Sequence, residues 1–188
     1  MRKYIFGNHG AADFMERITS HRRQSTALPA MYRCILNDIS KKGAVVELAW
    51  LSSQDTIDWN ELSALYKASL LGEKRPVDLK KAFANSMFKC FLFDQGQMVG
   101  AGRALADGID CSYLCDIAVL PGYQGHGIGK SIVSKLVELS AGHKKIILYS
   151  YPGKEAFYKK PGFKRMSTAM AIFEDQKQAL EWGLVDET

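Results

Sequence analysis

Apolar and polar positions along this chain fall into stretches with different periods, and the change from one period to the next marks out its elements. From Tyr113 to Leu120, apolar, β-branched and aromatic residues run almost unbroken and stop at Pro121-Gly122, the pattern of a buried strand closed by a turn. The spacing then becomes helical. Ile128, Ile132, Val133, Leu136, Val137 and Leu139 share one side, Lys130, Ser134, Lys135 and Glu138 take the others, and Gly142 offers a stop. Upstream, Phe88 to Phe93 and Met98 to Ala106 read as two strands joined at Asp94-Gln95-Gly96, with Asp107-Gly108 as the next turn.

The remaining segments complete one order. Ala44 to Leu51 reads as a strand, followed by helices over Ile57 to Leu71 and Val77 to Met87, the second with Leu79, Ala82, Phe83 and Met87 on its inner face. After the central helix come a strand over Lys145 to Tyr151, a short helix over Lys154 to Lys160, a strand from Phe163 to Phe173 and an amphipathic tail helix from Asp175. In residues 1–43, Ala11 to Arg23 fits a short helix. Met31, Ile35, Leu36 and Ile39 also have helical spacing, although Tyr32 to Trp50 could form two strands joined at Lys41-Lys42-Gly43. The helical reading is preferred, as an extension covering the domain or a partner subunit.

The glycines of Gln124-Gly125-His126-Gly127-Ile128-Gly129-Lys130 sit where the central strand hands over to its helix. A helix start presents backbone N–H groups with no internal partner and the positive end of the helix dipole, and glycines remove the Cβ atoms that would keep an anion away. A phosphate-bearing ligand is therefore expected. A Walker A loop ending at Gly129-Lys130-Ser131 would need glycine at position 124, which is Gln, and Gly-x-Gly-x-Gly lacks the spacing of a dinucleotide fingerprint. What does fit is Gln/Arg-x-x-Gly-x-Gly/Ala.

That loop, preceded by an apolar strand, resembles the acetyl-CoA pyrophosphate loop of the GNAT superfamily of N-acetyltransferases. Glu155-Ala156-Phe157-Tyr158-Lys159-Lys160-Pro161-Gly162-Phe163 is similar to that family's Phe-Tyr-x-x-x-Gly-Phe segment. The resemblance covers about Ala44 to Phe173. It divides the chain into an extension (1–43), the acetyltransferase domain (44–173) and the tail helix (174–188). It implies an α+β fold in which a mixed, mostly antiparallel sheet is splayed at the acetyl-CoA site and flanked by helices. Gly100 to Gly108 followed by Cys115 to Val119 is further similar to the plastid and bacterial branch that includes arylalkylamine N-acetyltransferases.

The resemblance also implies roles. Backbone groups of Ile117, Ala118, Val119 and Leu120 would hold the pantetheine arm, and those of Gln124, Gly125, His126, Gly127, Ile128, Gly129 and Lys130 the pyrophosphate, with acetyl-CoA as co-substrate. Tyr158 is the candidate acid for the departing thiolate, since a phenol is protonated at neutral pH. Asp116 is the candidate base if burial raises its pKa; a structural pairing with Arg103 is the equal alternative. Some family members carry a glutamate base three positions before, where this chain has Tyr113. His126 is expected to face solvent, and Asp107 and Glu155 are outside candidates. The two helices after the first strand line the family's acceptor side, which makes Trp59 and Phe83 candidate substrate contacts, with Tyr66 beside them. Core packing is the plainer role for each.

Composition narrows the partners. With 188 residues and 47% hydrophobic content the chain suits one domain and one core. The net charge of +5 suits an anionic ligand, and no basic run interleaved with aromatics points to nucleic acid. The four cysteines and four histidines show neither disulfide nor metal-ligand spacing, so no metal is expected. No apolar run reaches membrane-spanning length and no signal pattern opens the chain, so a cytoplasmic setting is expected. Two function classes remain: an enzyme moving an acetyl group to a small aryl or alkyl amine or a protein amine, in a chain that could form a homodimer, and a non-catalytic CoA-binding regulatory domain. The pairing of the loop with Tyr158 favours the enzyme.

Overall fold

The computed structural model describes residues 31–34, 40–41, 44–45 and 48–186. Strands β1 (Met31–Cys34), β4 (Leu48–Leu51), β5 (Phe88–Asp94), β6 (Gln97–Ala106), β7 (Cys111–Val119) and β8 (Lys145–Ile147) form one sheet in that order. Every pairing is antiparallel except β7 with β8. The short strands β2 (Ser40–Lys41) and β3 (Ala44–Val45) pair separately.

Local chemistry explains the connections. β5 and β6 are joined by Gln95 (φ 48°) and Gly96 (φ 86°), two left-handed residues that match the twist of a tight hairpin. The turn into β7 is held by the Asp107 carboxylate, which accepts from the N–H groups of Ile109 and Asp110 at 2.8 Å and Cys111 at 3.2 Å. The return from β7 to the parallel β8 requires a crossover, supplied by helix α3 (Ile128–Leu139).

Helices cover both faces. On one side α3 buries Ile128, Ile132, Val133 and Leu136. It lies close because Gly100 and Gly102 of β6 present no side chain: a Cβ on Gly102 would come within 2.6 Å of Ile132 Cγ2 and 3.1 Å of Leu136 Cδ1. On the other side, α1 (Trp59–Ala68), capped by Asp58 accepting from the N–H of Asn60, and α2 (Pro76–Ala84), started by proline, bury Leu62, Leu65, Tyr66, Leu79 and Phe83. Helices α4 (Glu155–Lys159) and α5 (Gln176–Glu181) follow β8.

Three expectations are corrected. Residues 31–34 form a strand rather than a helix, because their backbone groups pair with β4, and 40–41 with 44–45 form a hairpin as in the strand alternative. Ile35, Leu36, Ile39 and Ala11 to Arg23 lie outside the described residues. Second, the segment from Phe163 to Phe173, expected as a strand, is unpaired among the described residues, and leaves Met170 and Ile172 almost fully exposed. Apolar residues in number give a strand only where an edge is available to pair with. Third, Met87 is exposed, because α2 ends at Ala84 before reaching it.

The glycine contact with α3 is testable. Gly102→Ala should destabilise the protein by about 1–3 kcal/mol, the usual cost of overpacking, read from urea unfolding. An unchanged midpoint would show that α3 can move away from β6.

Candidate active site

β7 pairs with β8 only at Cys111, Ser112 and Tyr113, yet β7 itself runs on to Val119. From Leu114 onward, then, one edge of β7 has no neighbouring strand among the described residues. This parting of two parallel strands opens the sheet, as expected from the resemblance.

The glycine loop lies at the far end of that open edge. Leu120 N–H bonds to Val99 at 2.9 Å, and Pro121–Tyr123 make a tight 3-10 turn. Gln124 turns its amide back, donating from Nε2 to the Val119 carbonyl at 2.9 Å; Ser69, at the end of α1, donates to the same oxygen at 3.0 Å. The Gln124 side chain thus braces the strand rather than reaching outward. Gly125 (φ 81°) and Gly127 (φ 84°) are left-handed, and a Cβ on either would meet open space. The first helical bond of α3 is Ser131 N–H to Gly127, so the N–H groups of Gly125, His126, Gly127, Ile128, Gly129 and Lys130 have no acceptor among the described residues. Such a run of free amides at the positive end of a three-turn helix suits an anion.

The neighbours of this loop differ in role. Ile128 is buried and anchors the helix, while Lys130 is exposed beside the free amides. Gly129 lets α4 approach, since a Cβ there would lie 3.3 Å from the Phe157 ring. His126 faces solvent only in part: its Nδ1 is shielded and unpartnered among the described residues. Tyr158 is half-buried, edge-on to Phe157 at 4.9 Å and to Phe163 at 6.3 Å, and burial raises the pKa of its phenol. It is protonated at neutral pH, and the described residues give its hydroxyl no hydrogen bond.

Asp116 lies where β7 bulges. The pairing between β6 and β7 slips between Ala101 and Arg103, and Asp116 takes a left-handed conformation (φ 52°) that aspartate tolerates better than most residues. Its Oδ2 accepts from Arg103 Nε and its Oδ1 from Lys74 Nζ, each at 2.6 Å. Arg103 also donates to Ser86 at 3.1 Å and lies over the Phe83 ring, while Lys74 lies over Tyr66, whose hydroxyl donates to the Asp116 carbonyl at 2.8 Å. Burial alone would raise the Asp116 pKa, but the hydrogen bonds and charges of Lys74 and Arg103 outweigh it and hold the carboxyl below its usual range. The pairing alternative therefore replaces the candidate base. Backbone N–H groups likewise hold Asp107 at about 2 and lower Glu155.

The aromatic candidates are corrected too. Phe83 is fully buried and stacked on Phe91 at 5.1 Å, Tyr66 is fully buried, and half-buried Trp59 is edge-on to Phe83 and Phe91. They are the core beneath α1 and α2 and cannot line a pocket, except for the outer part of Trp59. Sequence reasoning missed Lys74 and Ser69, single polar residues near the end of α1 that no period or motif marks. Among the described residues no cluster is placed to hold a metal, and no helix is long and apolar enough to cross a membrane.

The chain matches known proteins over this region. The acetyltransferase (GNAT) domain family matches residues 87–165. An uncharacterized N-acetyltransferase, ycf52, of Pyropia yezoensis is 32% identical over 121 residues, which cover 61% of this chain and 69% of that one. A ycf52-like relative of Prochlorococcus marinus is 30% identical over 115 residues, 57% of this chain; the match spans 63% of that relative's length. A GNAT family acetyltransferase structure from Streptococcus pneumoniae superposes with a TM-score of 0.59 at 24% identity, covering 69% of this chain and 98% of that one, and shows the shared fold.

The Asp116 pairing predicts a pH dependence. Because its folded pKa lies below the unfolded value, it contributes stability above the ordinary carboxylate range that is lost as pH falls through the folded pKa. Asp116→Asn should cost about 3 kcal/mol at neutral pH, with Arg103 left buried and short of its counter-charge, and should flatten the acid limb of stability against pH. A wild-type acid limb in the variant would mean that other carboxylates carry it.

Proposed function

We propose, on the premise that this chain belongs to the GNAT family of N-acetyltransferases, that it moves the acetyl group of acetyl-CoA to a primary amine by direct attack in a ternary complex. The observation that carries this reading is the run of unpartnered amides from Gly125 to Lys130, set at the end of the open edge of β7. The amides suit the pyrophosphate, and the edge of β7 that β8 leaves without a neighbouring strand beyond Tyr113 suits the amide-rich pantetheine arm. Together they would hold the thioester while the amine approaches from the face carrying α1 and α2. Holding the two reactants together removes much of the entropic barrier.

The bond changes are simple. The neutral amine nitrogen attacks the thioester carbon; as the tetrahedral adduct collapses, the C–S bond breaks and the new C–N bond remains. The nitrogen gives up one proton to water, and the thiolate takes one from the Tyr158 hydroxyl, which solvent reprotonates. Neither Asp116, committed to two cations, nor Asp107, tied to three backbone N–H groups, is free to collect the amine's proton. The acceptor, a small aryl or alkyl amine or a protein amine, should therefore react in its neutral form. The setting we favour is an aqueous compartment such as the cytoplasm. A homodimer is compatible with this reading.

Three measurements test it. Gly127→Val should abolish acetyl-CoA binding in calorimetry, because a branched side chain is strained at φ 84° and projects into the anion site; retained affinity would move the pyrophosphate elsewhere. Tyr158→Phe should lower turnover by about 10²-fold or more while acetyl-CoA affinity is kept, as loss of a general acid does, and unchanged turnover would remove Tyr158 from the mechanism. Finally, kcat/KM should rise with pH until the acceptor amine itself is deprotonated. An inflection in the carboxylate range that vanished in Asp116→Asn would restore Asp116 as the base.

A further inference from the structure

Beyond α4 the chain leaves the core. Phe163, whose N–H bonds to the Tyr158 carbonyl at 3.2 Å, still packs against the central apolar cluster, but every residue from Lys164 to Ile172 is exposed. Phe173 is half-buried again, and its N–H donates to Gln176 Oε1 at 3.2 Å. Residues 164–172 therefore form a surface loop held at both ends. Three of its side chains are large and apolar: Met166 is 52% exposed, Ile172 94% and Met170 99%. Single apolar residues at a surface are ordinary, but three in one short loop mark a contact surface. Tyr151 and Trp182, tilted against each other at 6.4 Å and each about half exposed, add two amphipathic rings. They belong to the same region, since Tyr151 accepts from the N–H of Lys154 in the turn that leads into α4.

Charge says what this surface would meet. Residues 151–173 carry five cations, Lys154, Lys159, Lys160, Lys164 and Arg165, against one acid, Glu155, which puts a net +4 of the chain's +5 in this stretch. Glu155 is within electrostatic reach of both Lys159 and Arg165, so these cations gather about α4. All five are exposed, and none forms an ion pair among the described residues. By contrast Lys67, Arg75, Lys135 and Lys145 each meet a carboxylate. Five such cations beside exposed aliphatic carbon call for a partner that offers anions and an apolar phase together. A polynucleotide offers phosphates but nothing apolar for Met170 and Ile172 to enter. A second copy would set one +4 stretch against another. The boundary of an anionic bilayer offers both.

We propose that the loop 164–172 and the cations around α4 dock this protein on a bilayer surface that carries anionic lipid. The lysines and Arg165 lie at the lipid phosphates, and Met166, Met170 and Ile172 enter the boundary of the acyl chains. The contact is peripheral, because no helix among the described residues is long and apolar enough to cross a membrane. Electrostatic attraction brings the surface up, and the apolar side chains distinguish a lipid phase from any other polyanion.

The test is sedimentation of the full chain with vesicles of phosphatidylcholine alone and of phosphatidylcholine mixed in equal parts with phosphatidylglycerol. Wild type should bind the mixed vesicles and not the neutral ones, and more weakly as salt is raised. Lys164→Gln with Arg165→Gln should weaken that binding about 30-fold, the product of two lost cations at an anionic surface. Met170→Ser with Ile172→Ser should weaken it about tenfold, as loss of two partly inserted side chains does. Every substituted side chain is exposed, so an unchanged thermal midpoint in each variant reports an intact fold. Failure of wild type to bind the mixed vesicles would overturn the docking surface, as would equal binding to both kinds. Unchanged binding by the Met170→Ser, Ile172→Ser variant would reduce the surface to a site for any polyanion and overturn it too. So would a wild-type dimer that this variant dissociates, or tighter binding to single-stranded RNA than to the mixed vesicles.

Discussion

A carboxylate held in a left-handed conformation inside a strand is the constraint on which the site depends. Without the bulge at Asp116, β7 would continue its alternation, and the side chains of Cys115 and Asp116 could not both lie against Arg103 on the face of α1 and α2. A non-glycine residue at φ 52° is strained, and such strain persists only where the surroundings over-determine it. Here they do: Lys74 and Arg103 grip the carboxylate, Tyr66 holds the carbonyl, and Ser86 steadies Arg103 from below. Lys74 follows α1, Ser86 follows α2 and Arg103 is on β6, so one side chain ties both helices to the strand that opens the sheet.

Glycine has two opposite uses around that strand. Within β6, Gly100 and Gly102 are replaced by nothing, and their missing side chains let α3 lie close against the sheet. In the loop, Gly125 and Gly127 have space around them that a side chain could fill; what they supply is a left-handed backbone that leaves the amides uncovered. The two uses are coupled. Close packing of Ile128 and Ile132 against β6 fixes where α3 begins, and the start of α3 is where the free N–H groups gather. The run of free backbone amides is therefore placed by the apolar packing behind it.

How much of this could be read from the sequence follows from which interactions have a period. α3, β5, β6 and the two-residue hairpin at Gln95-Gly96 rest on local chemistry and local spacing, and the chain states both. The glycine loop is legible for the same reason. What is not legible depends on partners far apart in sequence. Whether Asp116 is a base or an ion-pair partner turns on Lys74, 42 residues away, which no motif marks. Whether Phe83 lines a pocket or a core turns on its stacking with Phe91. Met31 to Cys34 are too few to show a period, and pairing with β4 decides their state; Phe163 to Phe173 are rich in apolar residues but have no described partner.

That commitment of Asp116 also bears on the titratable groups beside it. Three titratable groups beside the parting of β7 and β8 are held away from the neutral range: burial pushes Cys115 up to about 11, burial, with Tyr149 against it, raises Tyr113, and Lys74 and Arg103 hold Asp116 low. None of them is poised to exchange a proton at neutral pH. A surplus positive charge makes an ammonium less stable than a neutral amine at the same place. The ion-pair cluster that holds the strand in its bulged form thus also sets the local field on that face of the sheet. Fold and chemistry here share one set of charges, so a change to either cation would be felt in both.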